Sequence, residues 1–111
     1  MNLLNYKKNI SSQYGEDGII EKIIQILKPL ENKFFVEFGA WDGKYLSNTY
    51  NLFKNHEFSG LYIEGDSKRA NKLKKDFLNE DRIICEQAFV QSIGQNSLTN
   101  ILARNNVPND F

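Results

Sequence analysis

The constraint that most narrows the fold of this chain is an alternation of periods. Short apolar runs that read as strands recur between stretches with helical spacing. Lys33-Phe34-Phe35-Val36-Glu37-Phe38-Gly39 is nearly unbroken in aromatic and β-branched residues, the pattern of a strand buried on both faces, as in parallel sheets. Gly60-Leu61-Tyr62-Ile63-Glu64 reads as a second strand, and Arg82 to Val90, with Ile83, Ile84 and Cys85 near its start, as a third. Helices are expected between them. From Glu16 to Lys28, Ile19, Ile23 and Leu27 lie one turn apart, and Ile20 and Ile24 widen the same stripe. Leu46, Tyr50 and Phe53 suggest a helix after the first strand. Ala70, Leu73 and Phe77 mark one after the second, with Ser67 as its expected cap, and Leu98, Ile101 and Leu102 mark a last one. Pro29 and Pro108 each follow a helical stretch and fit as stops. The order α-β-α-β-α-β-α predicts an α/β fold, a parallel sheet with helices packed on it.

Three strands make a thin sheet, and Asn109-Asp110-Phe111 falls where a further strand would follow. Residues 1–111 are therefore expected to be the N-terminal part of one larger domain whose C-terminal part is missing. Composition excludes several function classes. Hydrophobic residues are 41% and charged residues 25%, an ordinary globular balance and not a disordered one. Fourteen basic residues against fourteen acidic ones leave no net charge, which argues against a dedicated nucleic-acid binder. One cysteine excludes an internal disulfide and an all-cysteine zinc site. No apolar run approaches the ~20 residues of a membrane helix. The opening Met1–Lys8 is too broken by polar residues for a secretory signal, so a cytoplasmic location is expected.

Ligands of open α/β sheets bind at the carboxyl ends of the strands. Two such ends carry unusual residues here. The first strand runs into Glu37-Phe38-Gly39-Ala40-Trp41-Asp42-Gly43, where Gly39 and Gly43 permit a tight turn and close approach of a ligand, with the dipole of the following helix behind it. The second strand ends in Glu64, about 20 residues past the turn, the placement of a carboxylate that accepts from both hydroxyls of a ribose. Trp41 stands where the second glycine of a dinucleotide fingerprint belongs, and Lys44 is followed by Tyr45 rather than the Ser or Thr of a P-loop. The remaining pattern suits a ligand with a ribose and an amino-acid moiety but no phosphate, which describes S-adenosylmethionine. Glu37 or Asp42 would then meet its ammonium group. A plain β-α turn beside a solvated Glu64 is the competing account of the same residues.

Ser12-Gln13-Tyr14-Gly15-Glu16-Asp17, the stretch Phe35–Gly43, Leu46-Ser47-Asn48-Thr49 and Leu61-Tyr62-Ile63-Glu64 together resemble the FkbM family of S-adenosylmethionine-dependent methyltransferases, over about residues 11–90. The resemblance implies a Rossmann-like class I fold and methyl transfer, usually to a hydroxyl oxygen of a sugar or natural product, so the expected partner is a small-molecule or glycan acceptor. Position by position, it assigns Glu37, Gly39 and Gly43, with Ala40 and Asp42 between them, to the cofactor turn. It assigns Glu64 to the ribose, and Gln87 and Ala88, at the end of the third strand, to adenine. Ser12–Asp17 matches a family signature that either covers the cofactor or anchors the first helix. Glu37 stands where the family more often has Asp, and the family's fourth strand and acceptor pocket have no counterpart within these residues. Other readings are a nucleotide- or NAD-binding module and a non-catalytic remnant that acts through its sheet edge. His56 is expected in a surface loop away from the cofactor end, Cys85 in the core, and Lys68, Arg69, Lys72 and Lys75 on a solvated helix face.

Overall fold

The computed structural model describes residues 1–111. Three strands, β1 (Phe34–Phe38), β2 (Ser59–Glu64) and β3 (Ile83–Gln87), form one parallel sheet in the order β1-β2-β3. Phe34 pairs with Ser59 and Phe38 with Ile63 on one side of β2, and Gly60 pairs with Ile83 and Glu64 with Gln87 on the other. Four helices accompany the strands: α1 (Glu16–Leu27), α2 (Tyr50–His56), α3 (Ser67–Asp76) and α4 (Leu98–Arg104). A short 3-10 turn, Leu3–Tyr6, precedes them. The expected α/β architecture with a parallel sheet is present. No helix is long and apolar enough to cross a membrane.

Alternation along the strands separates two cores. Phe35, Tyr62 and Ile83 face one side, where they meet Leu52 and Phe53 of α2, Leu73 of α3 and Phe77, with Ile20 and Ile24 of α1 packed against the group. Leu61 and Ile63 face the other side and meet Ile101 of α4, with Phe34, Val36, Leu98 and Leu102 around them. Helices α1, α2 and α3 therefore cover one face and α4 the other. The central strand is the most buried element, with Leu61, Tyr62 and Ile63 fully inaccessible. Each such side chain contributes about 1.5–3 kcal/mol by burial.

Several expectations are corrected. In α1 only the Ile20/Ile24 line packs on the core, while Ile23 is 37% and Leu27 59% exposed. The helix after β1 begins at Tyr50, so Leu46 is not part of it. Leu46 lies in the preceding loop at φ +57° and is 41% exposed. The cap of α3 is Asp66, whose side chain accepts from Arg69 N, and Ser67 is the first helical residue. β3 stops at Gln87 and does not reach Val90. His56 is the last residue of α2 rather than a loop residue, and it pairs with Glu21 at the amino end of the sheet. Cys85 packs against the first core as expected, and burial pushes its thiol up to about 11. Lys68, Arg69, Lys72 and Lys75 are exposed on α3.

Candidate functional site

The carboxyl ends of β1 and β2 lie side by side because the two strands are adjacent and parallel. The turn after β1 is bound to β2 at two points. Ala40 N donates to the Ile63 carbonyl at 3.2 Å, and Trp41 N donates to Glu64 Oε1 at 2.8 Å. Glu64 Oε2 accepts from Asp66 N at 2.9 Å. The carboxylate is 6% exposed, and two backbone donors compensate its burial. The glycine turn and Glu64 thus form one unit, as the sequence pattern requires. Each carboxylate oxygen, with one donor, keeps acceptor capacity for a further one.

The two glycines of the turn have different physical reasons. Both hold left-handed backbone, Gly39 at φ +69° and Gly43 at φ +75°. A Cβ on Gly43 would lie 2.7 Å from Phe77 Cε2, 2.9 Å from Tyr62 Cε2 and 3.0 Å from Leu73 Cδ1. Gly43 therefore lets the turn settle on the core and does not face a ligand. A Cβ on Gly39 would meet nothing within 4 Å, so Gly39 is the position that leaves the backbone approachable. From beneath, the fully buried Tyr62 donates its hydroxyl to the Gly43 carbonyl at 2.8 Å. Burial pushes this phenol far above its ordinary range, so it remains a donor.

Glu37 points into its own loop. Its Oε2 accepts from Ser47 Oγ at 2.8 Å and Thr49 Oγ1 at 2.6 Å, and its Oε1 from Asn48 N at 3.3 Å. Ser47 Oγ in turn accepts from Tyr50 N at 3.0 Å, capping the first turn of α2. The Ser-Asn-Thr run is thus the partner of this carboxylate, filling Oε2 and leaving Oε1 with one long donor. The loop 44–49 lies in the chain between the glycine turn and α2, which begins at Tyr50.

Asp42 Oδ1 accepts from Lys44 N and Tyr45 N, both at 2.9 Å. Burial pushes its pKa up, but these two donors and the charges of Lys72 and Lys44 outweigh it, leaving the group below its ordinary value of 3.8. It is a carboxylate at neutral pH, with Oδ2 free of protein hydrogen bonds. Ala40 and Ala88 are buried, Ala40 in the first core and Ala88 in the second. They offer a ligand only backbone atoms. Gln87 is exposed and stands beside Glu64 in register.

Sequence reasoning missed three neighbours of this site. Phe89, 70% exposed, lies with its ring against Gly65, directly after Glu64. The Arg69 guanidinium sits 4.2 Å over the Trp41 ring, and Trp41 meets Tyr45 edge-on at 5.9 Å. Trp41 thus packs against Arg69 of α3 and Tyr45 of its own loop. The exposed aromatics at a strand end were readable as a hint for Phe89, whereas the Arg69 contact spans elements and leaves no local signature.

The segment Ser12–Asp17 anchors the start of α1. Asp17 Oδ2 collects Ile10 N and Ser11 N at 2.7 Å and Ser12 N at 2.8 Å, and Asp17 N donates back to Ser12 Oγ at 3.1 Å. Ser11 Oγ donates to the Ser47 carbonyl at 3.2 Å, joining this loop to the one held by Glu37. A cavity of about 450 Å³ lies between the two loops, with Asp42, Lys44 and Tyr45 in its wall. No protein-family model, curated protein or solved structure matches this chain.

Proposed function

We propose that the chain is the cofactor-binding part of a Rossmann-like, class I S-adenosylmethionine-dependent methyltransferase that methylates a hydroxyl oxygen of a sugar or natural-product acceptor. The observation that supports this reading most is the junction of Trp41 N with Glu64 Oε1 at the ends of two adjacent parallel strands. Glu64, already oriented by two backbone donors, accepts the ribose hydroxyls with its remaining lone pairs. Gly39 leaves its backbone open to the ligand. Asp42 takes the ammonium group through Oδ2, which has no protein partner, whereas Glu37 Oε2 is filled by Ser47 and Thr49 and only its Oε1, with one donor at 3.3 Å, keeps room for that role. Gln87 and Phe89 flank the adenine side. The cofactor supplies the electrophilic methyl carbon, and the protein supplies alignment and exclusion of water. His56 lies at the other end of the sheet and takes no proton from the acceptor.

Calorimetric titration of the chain with S-adenosylhomocysteine and, separately, NAD tests this. Saturable binding of S-adenosylhomocysteine with weaker NAD binding is expected. Tighter NAD binding contradicts it in favour of a dinucleotide module, and a folded chain that binds neither contradicts any cofactor role. One observation favours a protein-interaction role instead. β1 is hydrogen-bonded on one side only, and Phe38 on it is exposed, an edge open to another strand. A stable oligomer without cofactor affinity is the outcome that reading requires.

A further inference from the structure

At the amino end of the sheet, away from the glycine turn, the N-terminal arm, α1 and the end of α2 border two adjoining, half-open cavities. Their volumes are about 440 and 270 Å³, and Ile24, Lys28 and His56 line both. Lys8 and Lys22 stand in the wall of the larger one and Lys33 in that of the smaller. The carboxylate in the larger cavity is already engaged. Glu21 Oε1 accepts from Asn51 Nδ2 at 2.8 Å and lies 3.1 Å from His56 Nε2, while Oε2 lies 3.8 Å from Lys8 Nζ. Glu57 is the one acid of the smaller cavity. Lys22, Lys28 and Lys33 form no ion pair. In a chain with no net charge, this is a local excess of positive charge around a concave surface.

The wall is pre-formed. Lys8 N donates to the Gly15 carbonyl at 3.2 Å and the Lys8 carbonyl accepts from Gly18 N at 3.0 Å, so the arm is fixed along α1. The Lys22 ammonium lies 4.8 Å over the Tyr6 ring. Ile24 and Tyr6 are the hydrophobic side chains of a lining that is otherwise mostly polar or charged. A phosphate group spreads its charge over several acceptor oxygens and so engages ammonium groups from more than one direction, whereas a single carboxylate has fewer acceptor oxygens to share among them. Lysine binds phosphate as a point charge, and the larger volume falls within the usual range for small-molecule sites.

We propose that this groove binds a small phosphate ester, its phosphate held between Lys22 and Lys28, the two lysines of the larger cavity without an ion pair, and its uncharged part against Ile24 and Tyr6. The site is independent of the methyltransferase reading. The test is a titration at low salt, followed by backbone amide NMR shifts, with glycerol 3-phosphate and with inorganic phosphate as probes. Saturating shifts at Gly18, Gln25 and His56 are expected, with glycerol 3-phosphate the tighter probe. The double variant Lys22→Gln/Lys28→Gln should weaken binding at least fivefold. The double variant Lys68→Gln/Lys75→Gln on α3 should leave it unchanged. All four lysines are surface residues, and circular dichroism checks that both variants fold. Shifts that fail to saturate, equal loss in both variants, or unchanged affinity in Lys22→Gln/Lys28→Gln would overturn the proposal. Equal affinity for the two probes would overturn the ester part of it and reduce the site to one for the free anion.

Discussion

Gly39 and Gly43 look equivalent in the sequence and are not equivalent in space. Alanine at 43 places a methyl group against the rings of Phe77 and Tyr62 and against Leu73, at a backbone φ of +75°. Left-handed backbone costs about 1–2 kcal/mol for a residue with a Cβ, and overpacking a core adds ~1–3 kcal/mol. Alanine at 39 meets open space and bears only the backbone term. Chemical denaturation should therefore rank Gly43→Ala as clearly the less stable variant. Cofactor affinity should show the reverse sensitivity per unit of lost stability, because in the proposed site only residue 39 is open to a ligand. Equal destabilisation by the two would mean that the turn does not rest on Phe77 and Tyr62. This distinction was hidden in the sequence, since nothing local marks which glycine points into the core.

At the scale of elements, the strands were the most legible part. Phe34–Phe38 and Ser59–Glu64 are apolar runs bounded by glycine or charge, and they fold as such. The face of α1 was not legible, because Ile19, Ile20, Ile23, Ile24, Ile26 and Leu27 surround much of the helix and give periodicity no single face to select. Leu46 keeps helical spacing with Tyr50 and Phe53, yet its loop is shaped by the Glu37 clasp, a contact across ten residues that no local pattern carries. Asp66 and Ser67 are both capping types, and the hydrogen bond to Arg69 N decides for Asp66.

The start of α1 carries a prediction of its own. Asp17 is 1% exposed, with three N–H groups on Oδ2 and no partner on Oδ1. Burial pushes its pKa up, but the N–H groups of Ser12, Ser11 and Ile10 outweigh it and hold the group below its ordinary 3.8. A carboxylate with a depressed folded pKa contributes its full stabilisation above the unfolded value and loses it as pH falls through the folded one. Asp17→Asn should cost about 1–3 kcal/mol at pH 7. The gap between it and the unmodified chain should close as pH drops below about 4. Urea unfolding at pH 7 and at pH 3 checks both statements, and a pH-independent gap would remove the charge of Asp17 from the account.

For the whole molecule, topology places chemistry at two separate ends. Parallel strands bring the glycine turn, Glu64 and Gln87 to the carboxyl end of the sheet, while His56 and the lysines of the groove collect at the amino end. After α4 the chain reaches the start of β1, where Asp110 Oδ1 accepts from Asn32 Nδ2 at 2.7 Å. The juxtaposition of turn and Glu64 was foreseeable from strand order alone. The donors that orient Glu64 were not, because they belong to backbone amides of the loops on either side. In the proposed function that carboxylate holds a cofactor and does not serve the backbone alone.

Trp41 is the sole tryptophan, and its backbone N–H is bonded to Glu64, so its indole is a fluorophore on the residue that joins the turn to Glu64. The decisive measurement is a fluorescence titration with S-adenosylhomocysteine, run on the unmodified chain and on Glu64→Ala. A saturable change in the first, moved to at least tenfold higher ligand concentration in the second, corresponds to the ~1.5–3 kcal/mol of hydrogen bonds to a charged group. Superimposable curves, or no change in either protein while both remain folded, would contradict a cofactor site at Glu64.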